Sequence, residues 1–339
     1  MTTTSGPPSS DFPDGWGDSG EQRARRIGVV LGAGGTLGAA WMIARLRALE
    51  MLHGFDTRNV ELVVGSSAGS VLAAMITSGV SVQDLLDHQR GGADPLNPLA
   101  RAGFDHDSSV GGSLPERPPL RLGSARLLGQ VVRHPVRLGA LTAVAAVLPP
   151  GRGSLDGLRA AVREATGEGA GWPKHPQLRV TALDYRTGAR VAFGAPGAPR
   201  VSVVEAVVAS CSIPGWFAPA VLDGRTYIDA GFRQATSADL AAGFGLDEVF
   251  VLSALASYAE LPRRGLLTRL ERRWRQHLTV VLEREVAPLD AEGVAVTVIT
   301  PTLAERASMG ANLMDHRRRT RVLDTALAAA STQARADKR

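Results

Sequence analysis

Two short apolar runs, each broken off by glycines and followed by a helical stretch, set the tightest limit on what this chain can fold into. Residues 27–31 stop at Gly32-Ala33-Gly34-Gly35, and residues 37–52 then have helical character. Residues 60–64 stop at Gly65-Ser66-Ser67-Ala68-Gly69, and residues 68–77 read as the next helix, ending near Gly79. Apolar runs this short suit strands buried on both faces. Strand, turn, helix, repeated, is the pattern of a parallel sheet covered by helices, so the expected class is α/β.

The pattern resumes after an interruption. Ser154 is a candidate N-cap for a helix over 155–165. Residues 178–185 and 189–193 flank Arg186-Thr187-Gly188 and read as a hairpin. A helix over 203–210 precedes Ile213-Pro214-Gly215, and short strands over 221–222 and 225–228 flank Asp223-Gly224. Residues 248–255 and 294–299 read as buried strands, with a long helix between them carrying Leu267, Leu270, Trp274, Leu278 and Val281 on one stripe. Residues 317–339 read as a helix with a frayed, charged end.

The interruption, residues 91–153, is rich in Gly, Pro and Arg. Arginines stand at 117, 121, 126, 133, 137 and 152, with no Asp or Glu between the first and the last. Leu128, Val131 and Val132, then Leu138, Leu141, Ala145 and Leu148, fall at helical spacing on either side of Pro135. This predicts an inserted pair of basic amphipathic helices, either a lid that meets an anionic lipid surface or a solvated cap over the core. The arginines at 263, 264, 269, 272, 273 and 275 raise the same choice.

Composition narrows the partners. The net charge of +5 favours anionic ones without choosing among them. Nucleic acid is disfavoured, because only 5% of residues are aromatic and no binding-module motif occurs. Residues 1–25, rich in Gly, Ser, Pro and Asp, read as a disordered leader and not a secretory signal. With a single cysteine, Cys211, no intramolecular disulfide can form. A cytoplasmic protein, with peripheral contact at a membrane, is the expectation. Oligomeric state is not legible.

Three motifs carry chemistry. Gly65-Ser66-Ser67-Ala68-Gly69 matches the G-x-S-x-G elbow, in which a tight strand-to-helix turn projects a serine hydroxyl beside a helix N-terminus. The bland alternative is a Gly/Ser turn with Ser66 or Ser67 as an ordinary N-cap. Gly32-Ala33-Gly34-Gly35-Thr36-Leu37-Gly38 offers backbone N–H groups at a helix mouth. They suit an oxyanion hole, or a dinucleotide turn with Asp56 near the ribose-binding position, although Leu37 stands where that fingerprint wants Gly or Ala. Asp229-Ala230-Gly231 places a carboxylate at a strand end, where an aspartate is most often a turn residue.

Together these motifs resemble the patatin-like phospholipase family. The glycine turn resembles its oxyanion motif, the Gly65 to Gly69 turn its nucleophile elbow, and Asp229-Ala230-Gly231 its Asp-Gly-Gly or Asp-Gly-Ala motif. The run from Ala209 to Gly215, followed by Phe217-Ala218-Pro219, is similar to the stretch before its catalytic aspartate. The resemblance spans about residues 27 to 315. Leu37 departs from it by standing where the family usually has Arg or Lys, and Ala230 by standing where it usually has Gly.

The resemblance implies a three-layer α/β/α fold with a mostly parallel central sheet and an inserted helical lid region, its hydrolase domain spanning residues 26–320. It implies a lipid acyl hydrolase cleaving carboxylic esters through a Ser67–Asp229 dyad and an acyl-enzyme. Gly34, Gly35 and Thr36 would supply oxyanion donors, Gly32, Gly38, Gly65, Gly69 and Gly231 would be motif glycines, and neither cofactor nor metal would take part. An ordinary aspartate is a weak base for a hydroxyl, and burial would raise its pKa into a useful range. The alternatives are an NAD(P)-binding oxidoreductase using the Gly32 to Gly38 turn, a weakly active membrane-associated scaffold, and a triad completed by His316. The remaining histidines, at 53, 88, 106, 134, 175 and 277, show no metal-ligand spacing.

Overall fold

A computed structural model describes residues 24–91, 99, 122–167, 171–231, 233, 234, 236–258 and 266–336. The leader and the first part of the insert therefore lie outside the described residues. The central sheet is built from β1 (Ile27–Leu31), β2 (Leu62–Ser66), β3 (Gln177–Asp184), β4 (Arg190–Phe193), β5 (Ala220–Leu222), β6 (Arg225–Asp229), β7 (Glu248–Leu252) and β8 (Ala295–Ile299). The strand order is β5-β6-β3-β2-β1-β7-β8, with β4 also on β3. The run β3-β2-β1-β7-β8 is parallel, while β4 and β6 pair antiparallel with β3 and β5 with β6.

Ten described helices surround it: α1 (Gly35–His53), α2 (Ala68–Thr77), α3 (Val82–Gln89), α4 (Ala125–Arg133), α5 (Pro135–Val147), α6 (Asp156–Thr166), α7 (Val203–Cys211), α8 (Leu266–Ala291), α9 (Leu303–Met309) and α10 (Arg319–Ala336). Alternation along the strands sorts their side chains into two layers. Val29, Leu31 and Val63 join one core with α1, α2, α7 and α10. Val30, Leu62 and Val64 join a second core with Leu282, Val286 and Leu289 of α8. Both faces of the sheet are thus covered, giving the three layers that the apolar runs require.

One register detail positions everything that follows. On β3, Thr181 pairs with Ser66 and the next residue, Ala182, pairs with Asp229. β4 pairs with both Thr181 and Ala182. A strand residue has only two edges, so β2 and β6 share the other edge of β3 and meet end to end. Their last residues are Ser66 and Asp229.

The insert helices α4 and α5 pack on the sheet, with Leu127, Ala145 and Ala146 clustered against Leu183, Tyr185 and Ile228. The Tyr185 hydroxyl donates to Ala145 O at 3.1 Å, and the Ser124 hydroxyl donates to Tyr185 O at 3.0 Å. The apolar stripe of α4 is Leu127 and Val131; Val132, expected on it, is 74% exposed. Proline starts α5, where its missing N–H costs no helical bond.

Several expectations are corrected. Helix α6 begins at Asp156 with Leu155 as its N-cap, and Ser154 instead exchanges side-chain and backbone bonds with Asp156. Helix α10, expected over 317–339, runs from Arg319 to Ala336, and its Val322, Leu323, Ala326 and Ala330 are buried. Arg275 does not face solvent or lipid. It is buried and donates to Glu271 and to the Ala254 and Leu255 carbonyls. Of the α8 stripe, Leu278 is fully buried and Trp274 half-buried. Helices α3 and α9, unread from the sequence, each open on a capping box, Ser81 with Asp84 and Thr302 with Glu305.

Candidate active site

Strand β2 runs directly into α2 through Ser67, whose backbone is forced to φ 52° and ψ −124°. A positive φ is costly for a residue with a Cβ, about 1–3 kcal/mol, and such strain gathers at functional turns. The flanking glycines make the turn possible. A Cβ on Gly65 would stand 2.6 Å from Ser70 Cα, and one on Gly69 would stand 2.1 Å from Leu31 O. Helix α2 therefore lies hard against the end of β1, which brings Ser67 next to the glycine turn that follows that strand.

Ser67 occupies the N-cap position of α2, yet its side chain makes no capping bond. That separates it from an ordinary capping serine. Its hydroxyl shares a cavity with the Asp229 carboxylate and favours the ionised form of that carboxylate. Asp229 is buried, and the Gly231 N–H donates to its Oδ1 at 2.6 Å. Burial pushes the Asp229 pKa from 3.8 up to about 6, against the opposing pull of the Ser67 hydroxyl and the Gly231 N–H.

The turn after β1 has a definite supply of donors. Gly32 N–H is committed to Leu252 O, Leu37 N–H to Leu313 O and Gly38 N–H to Gly34 O. The N–H groups of Gly34, Gly35 and Thr36 have no acceptor among the described residues. They stand at the N-terminus of the 19-residue α1, where the helix field favours negative charge. Gly34 and Gly35 line one cavity with both Ser67 and Asp229. The backbone is held there by close contacts. A Cβ on Gly34 would stand 2.8 Å from Gly38 Cα, and one on Gly35, at φ 59°, would stand 2.8 Å from Met314 Sδ. A Cβ on Gly231 would stand 2.2 Å from Ala33 Cβ, so the aspartate loop and the glycine turn touch.

Two serines that sequence reading left without a role hold this arrangement. Ser210 Oγ accepts the Ser67 N–H at 2.7 Å, and Ser212 O accepts the Asp229 N–H at 2.9 Å. Both come from the end of α7, in the stretch singled out only by family resemblance. Ser66 Oγ shares a 2.6 Å bond with Thr181 Oγ1, and Ser70 Oγ donates to Ser67 O at 2.6 Å. Cys211 lines a cavity with Ser67, but burial and the neighbouring Asp229 charge raise its pKa and keep the thiol protonated.

Other candidates are placed elsewhere. Asp56 lies in the turn before β2, at the opposite end of that strand from Ser67, and its carboxylate is taken by Arg58. A ribose-binding acid belongs after the second strand, so the dinucleotide geometry is not met. His316 sits in a short 3-10 turn, His316–Arg318, and lines neither of the two cavities formed at Ser67 by the described residues. Leu37 is fully buried in the main core, so the departure there fills core space and exposes nothing toward the cavity.

A family model described as patatin-like phospholipase matches residues 29–242. No curated protein matches the chain. Among solved structures, VipD from Legionella pneumophila aligns with a TM-score of 0.43 and 15% identity, over 92% of this chain and 67% of that one. The type III effector ExoU of Pseudomonas aeruginosa aligns with a TM-score of 0.39 and 16% identity, over 92% and 53%. Human GIVD cytosolic phospholipase A2, in complex with methyl gamma-linolenyl fluorophosphonate, aligns with a TM-score of 0.31 and 14% identity, over 92% and 59%. The chain thus spans between 53% and 67% of the length of these three.

Proposed function

The chain belongs to the patatin-like phospholipase family, and we propose that it is a lipid acyl hydrolase working through a Ser67–Asp229 dyad. The observation that supports this reading is that the uncapped, strained Ser67 shares a cavity with a buried carboxylate whose pKa is raised to about 6. A base with that pKa is ionised at neutral pH and still able to hold a proton in transit.

In this mechanism Asp229 takes the Ser67 proton as Oγ attacks the ester carbonyl carbon. The oxyanion is met by the N–H groups of Gly34, Gly35 and Thr36. Asp229 then gives the proton to the departing alcohol oxygen, leaving an acyl-enzyme. Water, deprotonated by Asp229, attacks the acyl carbon, and the proton returns to Ser67.

Contact with an anionic membrane surface belongs to the same reading. Val144, Val147 and Leu148, at the end of α5, are exposed beside the Ser67 cavity, and Arg126 and Arg133 of α4 are exposed on the same insert. Apolar side chains with nearby cations suit a headgroup interface.

A fluorophosphonate probe tests the nucleophile. One adduct is expected on the wild-type chain and none on Ser67→Ala; undiminished labelling of that variant would overturn the assignment. The rate kcat/KM is expected to fall about tenfold per pH unit below about 6, as Asp229 takes up its proton.

A further inference from the structure

The core-facing stripe of α8 carries one carboxylate. Leu282, Val286 and Leu289 pack into the second core, and Glu285, one turn after Leu282 and one turn before Leu289, shares their face. Glu285 is 5% exposed. An apolar side chain would fill this place without taking a carboxylate out of water. Glu285 instead holds one segment of chain. Its Oε2 accepts from the Thr236 hydroxyl and from the Ser237 N–H, the latter at 2.8 Å.

Thr236 and Ser237 belong to the segment that leads away from Asp229, and Thr236 also meets the nucleophile strand. Val64 of β2 faces the second core, and Ser66, two residues on, faces the same way. Ser66 Oγ donates to Thr236 O at 3.4 Å and shares its shorter bond with Thr181. A contact that long cannot fix Thr236 by itself; the bond to Glu285 does. Ser237 stands at φ 59° and ψ 40°, a costly conformation for a residue with a Cβ, and its N–H is held there by the same carboxylate. Elsewhere in the segment Arg233 donates to Gly188 O at 2.7 Å, and Asp239 takes a bidentate bond from Arg190 of β4. Those two ties lead to the β3–β4 hairpin, whereas the Glu285 tie leads through Thr236 to Ser66, the residue before Ser67.

Resting on the dyad reading above, we infer that Glu285 is a positioning residue for Ser67 and Asp229: it fixes Thr236 between the end of β2 and the segment after the aspartate, and so sets how base and nucleophile meet. It lines neither cavity formed at Ser67 by the described residues, so it acts without touching substrate. Burial raises the Glu285 pKa, with the Thr236 hydroxyl opposing; Asp239 adds to the rise, and the Ser237 N–H and Arg190 oppose it. Its Oε1 has no partner among the described residues. The role therefore requires an acceptor oxygen at Oε2 and not a charge.

The test uses the full chain with p-nitrophenyl butyrate, and Ser67→Ala as the inactive control. Glu285→Met keeps the volume and removes the acceptor. Its kcat is expected to fall about tenfold or more with KM within about twofold of wild type, because misplaced groups weaken the transition state more than substrate binding. The acid limb of kcat is expected to move down by about half a pH unit or more, as a loosened segment lets water reach Asp229. Glu285→Gln, which keeps an oxygen in place, should retain about half the wild-type kcat or more. A loss of folded protein alone would lower kcat equally at every pH and leave the acid limb where it is. If circular dichroism shows Glu285→Met unfolded, Thr236→Val decides instead, with kcat expected to fall about threefold or more and the acid limb to move the same way. Wild-type kcat in the folded variant, an acid limb that does not move, or Glu285→Gln as impaired as Glu285→Met would overturn the inference while leaving Ser67-dependent turnover in place. Absence of ester cleavage by the wild-type chain would overturn the dyad reading itself.

Discussion

At the scale of single residues, the site is a set of conflicts that the fold holds in place. Ser67 keeps a φ that suits glycine, and Asp229 keeps its carboxylate out of water. Both cost stability, and both are measurable. Ser67→Gly is expected to be more stable than Ser67→Ala by about 1 kcal/mol, because glycine adopts the turn without strain; thermal unfolding of the two variants checks this. The Asp229 effect has a sign in pH. A carboxyl whose pKa rises on folding binds its proton more tightly in the folded state, so stability is whole below the unfolded value of 3.8 and is lost as pH rises through about 6. At 1.36 kcal/mol per unit the loss is at most about 3 kcal/mol. Asp229→Asn should therefore gain stability over wild type at pH 8 and gain little at pH 4, by denaturant unfolding at both. Ser67 and Asp229 stood out in the sequence as candidates because an elbow and a strand-end acid have local signatures. Ser210 and Ser212 were not, because an N–H accepted by a serine 143 residues away leaves no periodicity to read.

At the scale of elements, the apolar period located the strands and the glycines located the turns. The edges moved by a few residues, as for β2, read over 60–64 and found at Leu62–Ser66. Its shift is informative: pairing with β3 carries the strand through Ser66, so the serine that follows is delivered at the sheet edge. Helix α3 was missed because its apolar face is only two turns long, with Val82, Leu85 and Leu86 buried. The mouth of the site depends on two loops in contact, Gly231 against Ala33. Gly231→Ala introduces a methyl group at an impossible distance, so the aspartate loop and the glycine turn must part. The expected result is a fall in kcat of about tenfold or more, with KM changed less, since a misplaced donor weakens the transition state more than ground-state binding. Steady-state kinetics on a short ester reads it out; a variant changed in KM alone would count against the loop contact.

At the scale of the whole molecule, the site exists only because distant parts of the chain converge. The sheet order places β2 and β6 on one edge of β3, although 158 residues separate the end of β2 from the start of β6, from Ser66 to Arg225. No local pattern encodes that meeting; it follows from the antiparallel return of β6 against β3 in a mostly parallel sheet. The carboxy-terminal helices complete the first layer. Glu305 of α9 is fully buried and takes bonds from Arg45 and Trp41 of α1, fixing the helix that follows the glycine turn. Leu313 and Met314, between α9 and α10, close against the same turn. Removing one partner of a buried ion pair typically costs about 3–5 kcal/mol, so this contact is structural support for the site from outside it. The central claim, that Ser67 carries the acyl group with Asp229 as its base, is tested most directly by acid-quenching the enzyme during turnover of p-nitrophenyl decanoate and mapping the acyl-peptide by mass. The account predicts a decanoyl adduct on the peptide containing Ser67, absent from Ser67→Ala and formed far more slowly in Asp229→Asn. An adduct on another residue, or turnover undiminished in Ser67→Ala, would contradict it.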